Sequence, residues 1–182
     1  MRVKKERYRT GEKALTPKEY EKLISVVDRL DDEVLFKLAV SIGARREDLA
    51  SIKVSDIDLD ELKLSFYEQK KRRIHHVPLS PEMVRLIRQL LNSRGKNQSE
   101  YLFPFTGRTA YSRLQVYCDK AGIPRRPFHA LRATCIKRCQ AAGWTPEQVS
   151  RLTGDTIAVI QEHYSYPSSS EMQEIASLKP VI

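Results

Sequence analysis

The sequence predicts a mostly helical α+β domain that carries one small three-stranded antiparallel sheet. Two observations predict it. Helix-start and helix-stop signals punctuate the chain from Thr16 to Tyr164, and the stretch from Ile52 to Leu79 leaves the helical spacing of apolar residues for alternation. The length, 182 residues, fits one compact domain with tails, and 41% hydrophobic with 30% charged residues is globular composition. No apolar run approaches the ~20 residues that cross a bilayer, and the opening MRVKKERYRTGEK has charge with no apolar segment behind it. A soluble, cytoplasmic chain with no membrane contact is expected.

The first helix starts at the capping box Thr16-Pro17-Lys18-Glu19, with proline at the first helical position, and Tyr20, Leu23, Ile24, Val27 and Leu30 follow on one face. A second helix is expected from about Asp32 to Ile42, with Leu35, Leu38, Ala39 and Ile42 inward and Gly43 as its stop. Ile52 to Leu59 alternates imperfectly and predicts a strand. Leu62, Leu64 and Phe66 alternate cleanly after the acidic turn Asp60-Glu61, and Arg73 to Leu79 adds the third strand. Helices are then expected over Ser80 to Ser93, Thr109 to Ala121, Phe128 to Ala142, Thr145 to Leu152 and Thr156 to about Tyr164. Gly95, Gly122, Gly143 and Gly154 close the first four, and Thr145-Pro146-Glu147-Gln148 repeats the capping box. Ser170 to Leu178 reads as a short, separate terminal helix behind a serine-rich break.

Lysine and arginine number 32 against 23 aspartates and glutamates, a net charge of +9, which makes a polyanion the first partner to consider. The charge is concentrated: six basic and two acidic residues in positions 1–13, an unbroken basic quartet Lys70 to Arg73, and no acidic residue between Asp119 and Glu147. Cys118, Cys135 and Cys139 cannot all pair, and they lack the spacing and the fourth ligand of a zinc site, so they read as buried thiols.

Ser41-Ile42-Gly43-Ala44-Arg45-Arg46-Glu47-Asp48-Leu49 places an arginine just after a glycine-terminated helix, with an acidic residue three positions on. Val77-Pro78-Leu79 follows the basic strand, Tyr101-Leu102-Phe103-Pro104 lies between, and downstream come His129-Ala130-Leu131-Arg132 and Leu152-Thr153-Gly154-Asp155, with Tyr164 nine residues after the aspartate. This series resembles the tyrosine recombinase (phage integrase) family over about Leu15 to Tyr166. That family's catalytic domain carries a Gly-x-Arg-x-x-(Glu/Asp)-Leu box, a lysine on a strand ahead of Val-Pro-Leu, a His-x-x-Arg, a Leu-Gly-His, and a tyrosine nine residues after that histidine.

The resemblance implies the DNA breaking-rejoining fold and a site-specific recombinase or integrase that cleaves and rejoins DNA through a 3′-phosphotyrosine, with no metal and no cofactor. It implies Tyr164 as nucleophile, with Tyr166 competing two residues on, and Arg45 and Arg132 as a clamp on the phosphate, since a guanidinium offers forked donors at any working pH. Counting back seven from Val77 gives Lys70 as general acid; the family's flanking glycines are replaced by Gln69 and Lys71, so Lys71 stays open. His129 would bond the phosphate or exchange a proton with the nucleophile, and Asp48 would hold a backbone or an arginine. Lys71, Arg72, Arg73, Arg125 and Arg126 are expected on the DNA backbone, while His75, His76 and His163 match no box. Asp155 is the departure, because the family usually places histidine there and a carboxylate beside a phosphate repels it; its expected role is to orient Arg45, Arg132 or His129.

The expected organisation is a basic segment or linker over 1–14, the catalytic domain over 15–166 and a tail with a short helix over 167–182. The resemblance implies double-stranded DNA as the partner, bound by a homo-oligomer, a tetramer, with the C-terminal helix either exchanged between protomers or packed within its own chain. Two alternatives share the features: a catalytically silent DNA-binding protein of the same fold, and a type IB topoisomerase-like enzyme.

Overall fold

A computed structural model describes residues 9–96, 98–165, 167 and 169–182. The first eight residues, with most of the basic segment, and Tyr166 lie outside the described residues. The helices are α1 (Pro17–Ser25), α2 (Leu30–Ile42), α3 (Arg46–Ala50), α4 (Pro81–Ser93), α5 (Gly107–Ala121), α6 (His129–Ala141), α7 (Pro146–Thr153), α8 (Ile157–Ile160) and α9 (Ser169–Leu178). The sheet has strand order β1 (Ile57–Asp58), β2 (Lys63–Glu68), β3 (Arg73–Pro78), antiparallel throughout, with Leu64 opposite Val77 and Glu68 opposite Arg73. No helix among the described residues is long and apolar enough to cross a membrane.

Both capping boxes form. The Thr16 hydroxyl accepts from the Glu19 N–H at 3.2 Å while the Glu19 carboxylate accepts from the Thr16 N–H at 2.9 Å, and Thr145 and Gln148 repeat the pair at the start of α7. Each such cap stabilises its helix by about 1 kcal/mol. Gly43, Gly122 and Gly154 end α2, α5 and α7 in the left-handed region.

Two expectations are corrected. Helix α1 ends at Ser25, and Leu30 opens α2 instead of closing α1. The stretch Ile52 to Leu59 contributes only the two-residue β1, because Asp56 accepts from the Lys53 N–H at 2.8 Å and curls Val54–Asp56 into a 3-10 turn. The backbone of 52–54 instead bonds to 100–102, with Leu102 N–H on the Ile52 carbonyl at 2.9 Å. Helix α3 is an addition to the expected elements, since five residues are too few to show periodicity. Thr10–Lys13, within the segment expected as a basic segment or linker, is a 3-10 turn packed on α6, with Gly11 buried.

The core gathers α2, α4, α5 and α6 beneath the inner face of the sheet. Phe36, Leu38, Leu64, Ile87, Leu114 and Leu131 are buried at its centre. Helix α6 is buried from Ala130 through Ile136 and runs through the middle of the molecule. A second, small apolar cluster of Ala133, Ile136, Val149, Ile160 and Tyr164 lies on the far side of α6.

Candidate active site

Helices α2 and α7 both end against α6, and their terminal carbonyls carry the partial negative charge that attracts a cation. Arg132, on α6, fills that place: Nη1 donates to the Gly43 carbonyl at 2.6 Å and Nη2 to the Thr153 carbonyl at 2.9 Å. Its charge is buried, and the Asp155 carboxylate, 2.9 Å from Nη2, compensates it. Arg132 Nε is buried with no hydrogen-bond partner among the described residues.

Arg45 sits at the N-cap of α3, two residues beyond the glycine that ends α2. Its Nη2 lies 3.6 Å from the same Asp155 oxygen, and its Nη1 donates to Glu68 at 3.3 Å. The two arginines therefore converge on Asp155, which bridges them from the turn after α7. Asp48, one turn along α3, is buried and accepts from the Gln69 N–H at 2.9 Å, tying the β2–β3 turn to α3. Burial pushes the Asp48 carboxyl above its ordinary pKa, and the Gln69 bond only partly opposes it.

These elements enclose a cleft of about 620 Å³ whose walls include Arg45, Lys70, Tyr111, His129 and Arg132. Lys70 and Lys71 occupy the turn between β2 and β3, both exposed. Lys71 is held below the usual lysine pKa by partial desolvation, with Glu68 opposing the shift and Arg73 reinforcing it. His129 opens α6 at the cleft mouth. Its ring is exposed on one side but crowded by protein on the other, and this desolvation, with the charge of Arg132, holds its pKa below that of free imidazole.

Tyr164 lies in a π turn, Gln161–Ser165, that continues α8. Its ring is buried in the small cluster, Lys137 Nζ donates to its carbonyl at 2.6 Å, and Gln140 donates to the Ser165 hydroxyl at 2.8 Å. Burial, and then the Asp155 carboxylate, push the phenol pKa up to about 12, against the lowering pull of Arg132 and Arg45. Tyr164 does not line the cleft of Arg45 and Arg132; it lines a separate hollow with Lys137, Gln140 and Trp144.

A sequence model of the phage integrase family matches residues 13–166. The chain belongs to the phage integrase family. Among relatives, the tyrosine recombinase XerA of Saccharolobus solfataricus is 30% identical over 122 residues, covering 67% of this chain and 41% of that protein. The chain spans about half the length of the curated relatives it matches. Among solved structures, XerA recombinase superposes with a TM-score of 0.78 at 22% identity, covering 93% of this chain and 65% of that one. The XerH site-specific recombinase bound to its difH substrate gives 0.72 at 18% identity, covering 91% and 54%. This integrase-family chain shares their fold: mostly helical, with a three-stranded antiparallel sheet.

The structure gathers Arg45, Lys70, His129 and Arg132 around one cleft and Asp155 against both arginines, while Tyr164 lies outside it, buried in the small cluster beyond α6. The remaining basic residues behave differently. Arg72 is at the hairpin tip with φ of 50°, Arg73 donates to Glu68 at 2.9 Å, Arg125 forms a forked pair with Asp119, and Arg126 is held by Glu19 at 2.9 Å. His75 is a core residue on the Leu152 carbonyl, His76 bonds Ser65, and His163 lies 3.4 Å from the Thr10 hydroxyl. Among the described residues no group of three or more His, Cys, Asp or Glu could hold a metal ion. Glu68 was missed; its signal was an inward-facing position on β2 filled by a carboxylate.

Proposed function

We propose that this chain is the catalytic domain of a site-specific DNA recombinase that cleaves and rejoins strands through a 3′-phosphotyrosine on Tyr164. The observation that carries the reading is the convergence of Arg45 and Arg132, from separate helices, on one anionic oxygen beside the cleft. Two guanidiniums so placed suit the non-bridging oxygens of a phosphodiester, which would take the place that Asp155 holds between them.

Attack by the Tyr164 oxygen forms the new phosphorus–oxygen bond as the bond to the 5′ oxygen breaks. The phenol proton passes to a base, the role assigned to neutral His129, and the leaving oxygen takes a proton from Lys70 or Lys71 on the hairpin turn. A lysine with lowered pKa gives its proton more readily, which favours Lys71, whereas Lys70 lines the cleft. The free 5′ hydroxyl, or that of a second strand, reverses the step, so bond energy is conserved and the scheme calls for no metal. Exchange between two duplexes cuts four strands with one tyrosine each, hence a homotetramer on DNA. The outward apolar residues of α9, Met172, Ile175 and Leu178, suit it to docking on a neighbour.

A catalytically silent DNA-binding module is the second reading, favoured by Asp155 where it faces both arginines. Nicked suicide duplexes separate the two. The enzyme gives a covalent adduct that Tyr164→Phe abolishes while binding stays near the parent's; tight binding with no adduct supports the silent module, and an adduct that survives Tyr164→Phe but not Tyr166→Phe moves the nucleophile.

A further inference from the structure

Strand β2 turns Leu64, Phe66 and Glu68 inward, and the period that puts two apolar side chains into the core puts a carboxylate third. Burying Glu68 costs energy unless its charge is met, and both oxygens are met: Oε1 by Arg45 Nη1 at 3.3 Å, Oε2 by Arg73 Nε at 2.9 Å. Arg73 is the residue directly opposite on β3, so this bond closes the base of the turn that carries Lys70 and Lys71. The packing around the carboxylate leaves no slack. A Cβ on Gly154, the residue before Asp155, would lie 2.9 Å from Glu68 Oε1 and 3.1 Å from Arg73 Nη2.

Arg45 is consequently held from two sides, by Glu68 on one amino group and Asp155 on the other. Asp155 arrives on the turn that follows α7; Glu68 arrives on the hairpin. We propose that Glu68 is a positioning residue of the recombination site, locking the Arg45 guanidinium to the base of the lysine-bearing hairpin so that phosphate clamp and proton donor keep one geometry. Asp48 on the Gln69 N–H completes the joint from α3. The proposal rests on the reading of Arg45 as phosphate ligand and of the hairpin lysine as acid.

Its sign separates it from electrostatics. Removing a negative charge near a phosphate should by itself strengthen binding and speed attack, whereas loss of a positioning contact slows attack. In Glu68→Gln the side chain keeps its shape but exchanges one acceptor for an N–H donor, so one arginine must face a donor. The expected result is adduct formation on a nicked suicide duplex slowed by about 100-fold in single turnover, with affinity for an uncleaved duplex close to the parent's. In parallel, the Arg45 guanidinium resonances of nitrogen-15-labelled protein, assigned by their loss in Arg45→Lys, should shift and exchange faster with solvent. Adduct formation at the parental rate or above, or unchanged Arg45 resonances, overturns the proposal. A parent chain that forms no adduct overturns the recombinase reading itself, and the resonances then decide alone whether Glu68 holds Arg45. Glu68→Leu continues the apolar period of β2 and serves if the glutamine variant does not fold; the same slowing and the same resonance changes are expected.

Discussion

Asp155 stands where its charge opposes the proposed substrate. A carboxylate about 4 Å from a phosphate costs on the order of 1 to 4 kcal/mol, according to the local dielectric. Its contacts with Arg132 at 2.9 Å and Arg45 at 3.6 Å offset that repulsion and fix two long side chains that would otherwise sample many rotamers. Asp155→Ala should therefore slow single-turnover cleavage, and Asp155→His, which supplies a donor, should retain or raise it; faster cleavage by the alanine variant would make the carboxylate a brake. The spacing of the sequence boxes picked out Arg45, Arg132 and Asp155 because each stands at a fixed offset from a glycine, a histidine or a tyrosine. Glu68 stands at no such offset. Only the broken alternation Leu64, Phe66, Glu68 marks it, and alternation by itself does not say which charges a carboxylate will meet.

At the scale of elements, capped helices were the most legible parts, since Thr16, Thr145, Gly43 and Gly154 each impose a local geometry that packing does not override. Residues 52–59 misled because short apolar alternation fits a strand, a turn or an isolated bridge equally well. The 3-10 turn Thr10–Lys13 was illegible for a different reason: what orders it is distant in sequence. Gly11 meets the turn that carries Tyr164, where an added Cβ would lie 2.6 Å from the His163 carbonyl oxygen and 3.3 Å from Tyr164 Cα. Backbone cannot yield there as a flexible side chain could. Gly11→Ala should shift the tyrosine turn and lower adduct formation by about 10-fold or more, with duplex affinity unchanged because the cleft is untouched. Parental cleavage by Gly11→Ala would show that the turn tolerates displacement.

For the molecule as a whole, the count of 32 lysines and arginines overstates the cations free to meet a phosphate backbone. Arg125 and Arg126 each face a carboxylate, Asp119 and Glu19, whereas Lys70, Lys71 and Arg72 project from the hairpin. Each phosphate neutralised contributes about 0.9 to the slope of log affinity against log salt. Lys71→Gln with Arg72→Gln should lower the slope by up to about 2, while Arg125→Gln leaves it nearly unchanged; titration of a duplex across salt concentrations measures both. Equal losses from the two sites would place the DNA over both. Net charge was legible from composition, but how it divides between paired and open cations depends on which helices lie side by side.

The small cluster of Ala133, Ile136, Val149, Ile160 and Tyr164 is separate from the main core, joined to it through α6. Few side chains make up this cluster, and hydrogen exchange in α8 and the tyrosine turn faster than in α2 and α6 is the expected sign that the turn opens apart from the main core. A buried phenol could leave its pocket by such an opening while Arg132 keeps its bond to the Gly43 carbonyl and Arg45 its bond to Glu68. Separate foldons for the attacking group and for the clamp would let the chain hold a backbone it has not yet cut.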